Sequence, residues 1–329
     1  MENLKIVLFG LGNVGQGITQ ELLKKKGIEI VGAIGRTSNI GKDLGEVLGI
    51  GKKMGVNITN DADALLKNTY ADIAIHSTSS RTLKEIYPEI IKPIQNGMNV
   101  ITACTEASDP YLYNPEIAGR IERLARASQV TFLGTGSTQL ATRVVLTLAE
   151  ACTEINTVKF TAHADVSEFS EKSNREEFGI GTTVDIFNNE INSGQGRMHE
   201  GLKKEAAVIA EKLGWHLDDI QQIVEPDIEA GYVTGITVRF KGIKNGVIKV
   251  EYNYQFVLDP NHVYSHEIII DGKPKISTVV YYSPDRGLTG TIAPMINAIP
   301  KVIRAKPGIL KMADLEICPT WDDVRTDLG

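Results

Sequence analysis

The stretch Lys5-Ile6-Val7-Leu8-Phe9-Gly10-Leu11-Gly12-Asn13-Val14-Gly15-Gln16-Gly17 decides the fold of this chain. A strand-like run, Lys5 followed by four apolar residues, leads into glycines spaced G-x-G-x-x-G, and a helical pattern follows from Val14 to Lys25. Each glycine has a physical task in such a turn. Gly10 makes the tight bend, Gly12 leaves room for backbone to approach a pyrophosphate, and Gly15 lets helix pack close to strand. The helix N-terminus adds partial positive charge, so the element reads as an anion cradle for a dinucleotide, with Asn13 and Val14 also at the phosphates. A lone G-x-G-x-x-G is weak; the strand before and helix after it make it specific.

Outward from this turn, short apolar runs alternate with helical patterns up to residue 137. IEIVGAIG, ADIAIHS, MNVITAC and VTFLG are the runs, with helices before Gly51, over Leu83 to Gln95, and from Asn114-Pro115-Glu116 onward. In that last helix Asn114 is the cap, Pro115 the first-turn proline, and Ile117, Ile121 and Leu124 the apolar stripe. Alternation of this kind predicts an α/β fold: a Rossmann-type, doubly wound parallel sheet with helices on both faces. After about residue 138 the pattern changes. A helix from Gln139 to Glu154 leads into INTVKFTAH, and another, His199 to Leu213, stops at Gly214. Period-2 runs then flank Asn245-Gly246, a strong hairpin signal, and Asp271-Gly272, a second one slightly offset. This half is expected to be an α+β domain on an open, mostly antiparallel sheet. A helical segment from Thr291 to Arg304 is expected to return to the first domain. The expected division is residues 1–137 with 290–329 for the dinucleotide, and 138–289 for substrate and dimerisation.

Composition narrows the function. Lys+Arg 35 against Asp+Glu 41 gives a net charge of −6, with no basic excess to hold a nucleic-acid backbone. No apolar run approaches a membrane span. The start, MENLKIVLFGLG, has no basic stretch or cleavage site, which predicts no leader and a cytoplasmic location. Cys104, Cys152 and Cys318 are far apart and odd in number, so reduced thiols are expected, with neither disulfide scaffold nor metal module. His262 and His266, four apart on a predicted strand, would share a face but stand about 13 Å from each other. They read as structural or surface residues, and no metal is predicted.

The second strand bears on which dinucleotide binds. An NAD site wants Asp or Glu about 20 residues after the glycines, on the ribose 2′-OH. Here the chain reads Gly35-Arg36-Thr37-Ser38, with no acid. Arg36 is suited to a 2′-phosphate, and Thr37 and Ser38 offer hydroxyls, so NADP(H) is expected to be preferred over NAD(H). A solvated loop arginine is the plain alternative. Ligands of open α/β sheets lie beyond the carboxyl ends of the strands. Three such ends carry polar residues: His76-Ser77-Thr78, expected along the nicotinamide ribose, then Thr102-Ala103-Cys104-Thr105-Glu106, and Gly134-Thr135-Gly136-Ser137-Thr138. Glu106 is the one carboxylate near a strand end, either a general base or a capping or salt-bridged residue. Cys104 as a thiolate nucleophile would need a cation to lower its pKa, and a buried inert thiol is the commoner outcome.

Several segments together resemble the 2,4-diaminopentanoate dehydrogenase family and related NAD(P)H-dependent amine dehydrogenases. They are GLGNVGQG, VGAIGRTSNIGKDLGEVLGI, ADIAIHSTSS, NGMNVITACTEAS, VTFLGTG and MINAIPKVIRAKPGIL. The wider group is similar to dihydrodipicolinate reductase, whose His-His and Pro-Ser-Gly-Thr signatures are absent here. The resemblance implies reductive amination of an aldehyde or ketone with ammonia, and the reverse oxidative deamination. It assigns Glu106 the task of taking a proton from ammonium and orienting ammonia on the carbonyl carbon. The family's usual Val-Asn-Pro-Gly-Phe-like loop is replaced by Gly136-Ser137-Thr138-Gln139-Leu140, which bears on substrate identity.

The expectations are then specific. Glu106 is catalytic. Gly10, Gly12, Asn13, Val14, Arg36, Thr37, Ser38, His76, Ser77, Thr78, Thr102, Ala103 and Cys104 line the cofactor. Gly136, Ser137, Thr138, Gln139, His163 and Phe169 line the substrate. The partners are a small carbonyl or amine and ammonia, with a homodimer through the antiparallel sheet and no nucleic acid or membrane. The alternatives are a 2,4-diaminopentanoate-type diamino acid dehydrogenase, as the resemblance allows, an aldehyde dehydrogenase acting through Cys104, and a non-catalytic NADP-sensing protein.

Overall fold

The computed structural model describes residues 2–78, 82–167, 174–192, 199–259, 261–282, 288–316 and 318–328. The chain divides into two compact units, Met1–Gln139 with Leu288–Gly329, and Leu140–Gly287.

The first unit is built on seven strands: β1 (Leu4–Phe9), β2 (Ile28–Ile34), β3 (Ile58–Thr59), β4 (Ile73–His76), β5 (Asn99–Thr102), β6 (Thr131–Gly134) and, near the C-terminus, β13 (Gly308–Leu310). Their order is β13-β6-β5-β4-β1-β2-β3, and every neighbouring pair is parallel. Alternate residues of β1 face opposite ways, so its side chains enter two cores. Ile6 and Leu8 pack with Ile18 and Leu22 of α1 (Asn13–Leu22). Val7 and Phe9 pack on the other face with Ile86 and Ile90 of α4 (Leu83–Gln95) and Ile121 of α6 (Pro115–Ala127). That is why β1 reads as a continuous apolar run rather than an alternation. Shorter helices α2 (Leu44–Val47), α3 (Ala62–Asn68) and α5 (Pro110–Tyr113) complete the crossovers. The Asn114 side chain accepts the Ile117 N–H at 3.1 Å, the cap expected from Asn-Pro-Glu.

The order of strands reverses between β1 and β4, so a crevice opens beyond their carboxyl ends, where Gly10 and Ser77 lie. The C-terminal helices α10 (Leu288–Asn297) and α11 (Ile299–Arg304) join this unit, with Ile292, Met295 and Val302 in the same core as Ile18.

The second unit is a six-stranded mixed sheet in the order β12-β11-β7-β10-β9-β8. Its strands are β7 (Glu154–Asp165), β8 (Asp219–Glu229), β9 (Tyr232–Lys244), β10 (Val247–Val257), β11 (Ser265–Lys273) and β12 (Ile276–Tyr281). Only the β7–β10 pair is parallel. One face carries Phe160, Phe240 and Tyr252 against α7 (Ser137–Ala149) and α9 (His199–Lys212), while α8 (Val184–Asn192) packs beside β9. Asn245 and Gly246 both have positive φ and join β9 to β10, the mirror-image turn their sequence demands. The second hairpin differs from expectation. Asp271-Gly272 lies inside β11, where the register with β7 shifts and a Cβ on Gly272 would strike the Glu154 carbonyl. A bulge glycine and a turn glycine carry the same letter, and here the connection falls at residues 274–275, where Pro274 has no N–H to lose. His262 also departs from expectation, because β11 begins at Ser265 and leaves it in the preceding loop.

Candidate active site

The glycine turn is shaped as its spacing requires. Gly10 has φ +90°, and a Cβ there would meet the Ser77 carbonyl carbon at 2.7 Å and the Thr78 nitrogen at 2.8 Å. A Cβ on Gly15 would overlap the Gly10 carbonyl. Around Gly12 the opposite holds: nothing lies within 4 Å of its would-be Cβ. Gly12 caps α1 without a side-chain hydrogen bond, and the first turn of α1 has no acidic residue. The N–H groups of that turn therefore face an open cradle with no carboxylate competing for them, the fit a pyrophosphate needs. Asn13 and Val14 sit on this turn. Ser77 ties the end of β4 to that of β1, its N–H donating to the Phe9 carbonyl at 2.7 Å and its hydroxyl to the Gly10 carbonyl at 3.2 Å.

Arg36, Thr37 and Ser38 are exposed beyond the end of β2. Arg36 is not a free loop cation. Its Nη2 donates to Glu89 Oε1 at 2.8 Å and its Nε at 3.1 Å, and Nη2 lies 3.4 Å from the Thr78 hydroxyl. Glu89 Oε2 in turn accepts the Thr78 hydroxyl at 2.5 Å and meets His76 Nε2 at 2.9 Å. On the far side of the ring, His76 Nδ1 stands 3.0 Å from Thr102 Oγ1, which accepts the Cys104 N–H at 3.2 Å. Glu89 as a carboxylate can only accept, so Nε2 is the ring nitrogen that donates toward it. Burial pushes the Glu89 carboxyl up, but hydrogen bonds from His76, Thr78 and Arg36 outweigh it and hold the group at about 2.

The His76 and Thr102 side chains are buried, and the His76 ring bridges Thr102 and Glu89. Sequence reasoning missed Glu89. The available signal was its place in α4 between Ile86 and Ile90 of the buried stripe, an acid on the flank of an inward face.

Glu106 lies in a short 3₁₀ turn, Thr105–Ser108, directly after β5. Its Oε2 accepts the Leu83 N–H at 2.7 Å, at the first turn of α4. Of the two readings open from the sequence, the capping contact is therefore present. The N–H and the positive end of a thirteen-residue helix stabilise the negative charge there. The carboxylate remains half-buried and close to the carboxyl edge of the sheet. The end of β6 packs on the same turn, since a Cβ on Gly134 would overlap the Ala107 carbonyl. Gly136 and then the first residues of α7, Ser137, Thr138 and Gln139, follow on from this strand end. Behind that loop Asp109 pairs with Lys311 at 2.7 Å, just past the end of β13.

Cys104 is buried, and burial pushes its thiol up to about 12. A thiolate nucleophile needs the opposite environment, which removes the chemical basis for the aldehyde dehydrogenase rival.

In the second unit, His163 lies on β7 with its Nδ1 2.8 Å from Gln255 Oε1 of β10. By strand alternation it is on the sheet face opposite Phe160 and Ala162. Phe169 falls outside the described residues. His266 is buried between two tyrosine hydroxyls, Tyr264 at 2.8 Å from Nε2 and Tyr282 at 3.0 Å from Nδ1. Burial lowers it to about 4, and His163 adds to the shift. Among the described residues, no group of three His, Cys, Asp or Glu could hold a metal ion, and no helix is long and apolar enough to cross a membrane.

Residues 140–328 match the family model of the 2,4-diaminopentanoate dehydrogenase C-terminal domain, and residues 4–132 match that of the dihydrodipicolinate reductase N-terminus. The chain is 31% identical to 2,4-diaminopentanoate dehydrogenase of Acetoanaerobium sticklandii, over 96% of this chain and 94% of that one. Among solved structures it is similar to an amine dehydrogenase from Mycobacterium smegmatis, with TM-score 0.86 and 25% identity over 98% of each chain. Dipicolinate-bound dihydrodipicolinate reductase from Paenisporosarcina sp. TG-14 shares the fold, with TM-score 0.55 and 13% identity over 94% of this chain and 97% of that one.

Proposed function

The chain belongs to the 2,4-diaminopentanoate dehydrogenase family, and from that premise we propose that it is an NAD(P)(H)-dependent amine dehydrogenase. The reaction is carbonyl, ammonium and NAD(P)H giving amine, NAD(P)⁺ and water, together with its reverse. The observation that carries this reading is the placement of Glu106. Its carboxylate stands half-buried at the sheet edge onto which the glycine cradle also opens, anchored through one oxygen to the N-terminus of α4.

When bound, NAD(P)H supplies the hydride. The residues of the chain do the rest. Glu106 accepts a proton from ammonium, so that ammonia can add to the carbonyl carbon. It then faces the cationic iminium left by loss of water, whose charge its own offsets. The Leu83 N–H keeps the carboxylate in one position through both steps, which is what orientation requires. Gly12, Asn13 and Val14 hold the pyrophosphate. Gly136, Ser137, Thr138 and Gln139 border the carbonyl compound.

The missing acid after β2, with Arg36, Thr37 and Ser38 in its place, supports preference for NADP(H). The open sheet of the second unit is proposed to pair two copies. The test is oxidation of NADPH and NADH, followed at 340 nm, with a panel of aldehydes and ketones, with and without ammonium. Ammonium-dependent oxidation is expected. Oxidation that needs no ammonium would make the protein a carbonyl reductase and overturn the reading.

A further inference from the structure

We propose that Glu89 sets the coenzyme preference of this protein, because it holds Arg36 as an internal counter-ion and withholds that charge from a 2′-phosphate. The inference rests on the reading above that Arg36 faces the 2′ position. Nothing in the sequence around Arg36 predicts it, since the two residues are 53 positions apart.

The geometry makes Glu89 a fixed partner. Oε2 is held from within by His76 Nε2 and the Thr78 hydroxyl, at 2.9 and 2.5 Å, while Oε1 faces Arg36 with two N–H contacts. The His76 ring is itself buried and braced by Thr102 on its other nitrogen. A carboxylate anchored on both sides does not swing away when another anion arrives. The Arg36 side chain, 58% exposed, is the movable member of the pair, and Glu89, 28% exposed, is not. A phosphate reaching Arg36 therefore either shares the guanidinium with Glu89 or pulls it off, and in both cases it enters the field of a second negative group. A ribose 2′-OH carries no charge and meets no such penalty. Arg36 thus recognises the phosphate and Glu89 limits how strongly, so coenzyme choice is shared between the end of β2 and a residue of α4.

The experiment is fluorescence titration of the full-length protein with NADPH and with NADH, for the parent, E89Q, E89A, R36A and the R36A/E89Q double variant. Thermal melting establishes which variants fold. E89Q keeps the size of the side chain and E89A removes it, so one of the two remains informative if the other unfolds. The expected result for the neutral variant is NADPH bound about fivefold more tightly, with NADH changed less than about twofold, the size of a partly exposed charge pair. The gain should shrink as salt rises and vanish in the Arg36→Ala background. A purely structural Glu89 would move both coenzymes alike and show no salt dependence. The proposal is overturned if the NADPH to NADH ratio stays within about twofold, or if the gain survives without Arg36. Failure of the underlying reading shows separately: R36A would then leave NADPH binding unchanged.

Discussion

Replacing Glu106 by Gln separates the two tasks of its carboxylate. One is structural: Oε2 accepts the Leu83 N–H at 2.7 Å at the start of α4. Gln keeps the length, the volume and an acceptor oxygen, so that hydrogen bond survives. What is lost is the charge at the helix N-terminus, about 0.3–1 kcal/mol. On a chain this long such a loss moves the melting temperature by only about 2–4 °C per kcal/mol. The other task is chemical. An amide neither takes a proton from ammonium nor balances an iminium, and loss of a general base costs roughly 10²–10⁴ in rate. The stability and rate effects therefore differ by at least a factor of about ten in equilibrium or rate constant, and one variant distinguishes them. The assay is the initial rate of NADPH oxidation at saturating ammonium and carbonyl, beside a thermal melt and an NADPH titration. Melting and coenzyme affinity should hold while kcat falls at least about a hundredfold. If kcat stays within about tenfold of the parent in a folded, NADPH-binding E106Q protein, the carboxylate is only a helix cap and the mechanism above is wrong.

Two glycines of one motif should behave oppositely: Gly12→Ala, into open space, should fold normally yet weaken NADPH and NADH together in titration. Gly15→Ala, whose Cβ would overlap the Gly10 carbonyl, should cost about 1–3 kcal/mol in denaturant unfolding before any ligand is added. Cys104→Ala should keep most of its activity and iodoacetamide should spare the parent enzyme, since burial holds that thiol up at about 12; complete inactivation with Cys104 labelled would restore the nucleophile reading. His266, lowered to about 4 by burial, binds fewer protons folded than unfolded between pH 6.5 and 4. Stability should therefore be fully present above pH 6.5 and fall by up to about 3 kcal/mol toward pH 4, and His266→Gln should flatten that limb of a pH series of urea melts. Glu89, held at about 2, adds a separate loss in the same direction, but only below about pH 4.5.

Much of this protein was legible because the information is local. The strand-turn-helix at Lys5–Gly17, the α4 span Leu83–Gln95, the Asn114 cap and the Asn245-Gly246 hairpin each depend on residues within a few positions of one another. Backbone sterics and side-chain periodicity act at that range, so residue type alone sufficed. Asp271-Gly272 misled for the same reason, since turn and bulge ask for the same residues and only the pairing with β7 distinguishes them. The position of Glu106 after β5 was also readable, because in an open parallel sheet the edge that carries ligands follows from strand direction.

What a side chain at that edge touches was not. Glu106 meets Leu83 across 23 positions, and Arg36 meets Glu89 across 53. Those meetings require α4 to cross back over the sheet and set its first turns beside the ends of β2, β4 and β5. Residue order was enough for a Rossmann unit with an open phosphate cradle, a carboxylate at the ligand edge and a cation where an acid usually stands. It took the folded chain to pair that cation, to anchor the carboxylate to a helix N-terminus and to bury Cys104 beyond use. Charges and hydrogen bonds act through space at a few ångströms, and chain separation carries no record of that distance until the fold is made.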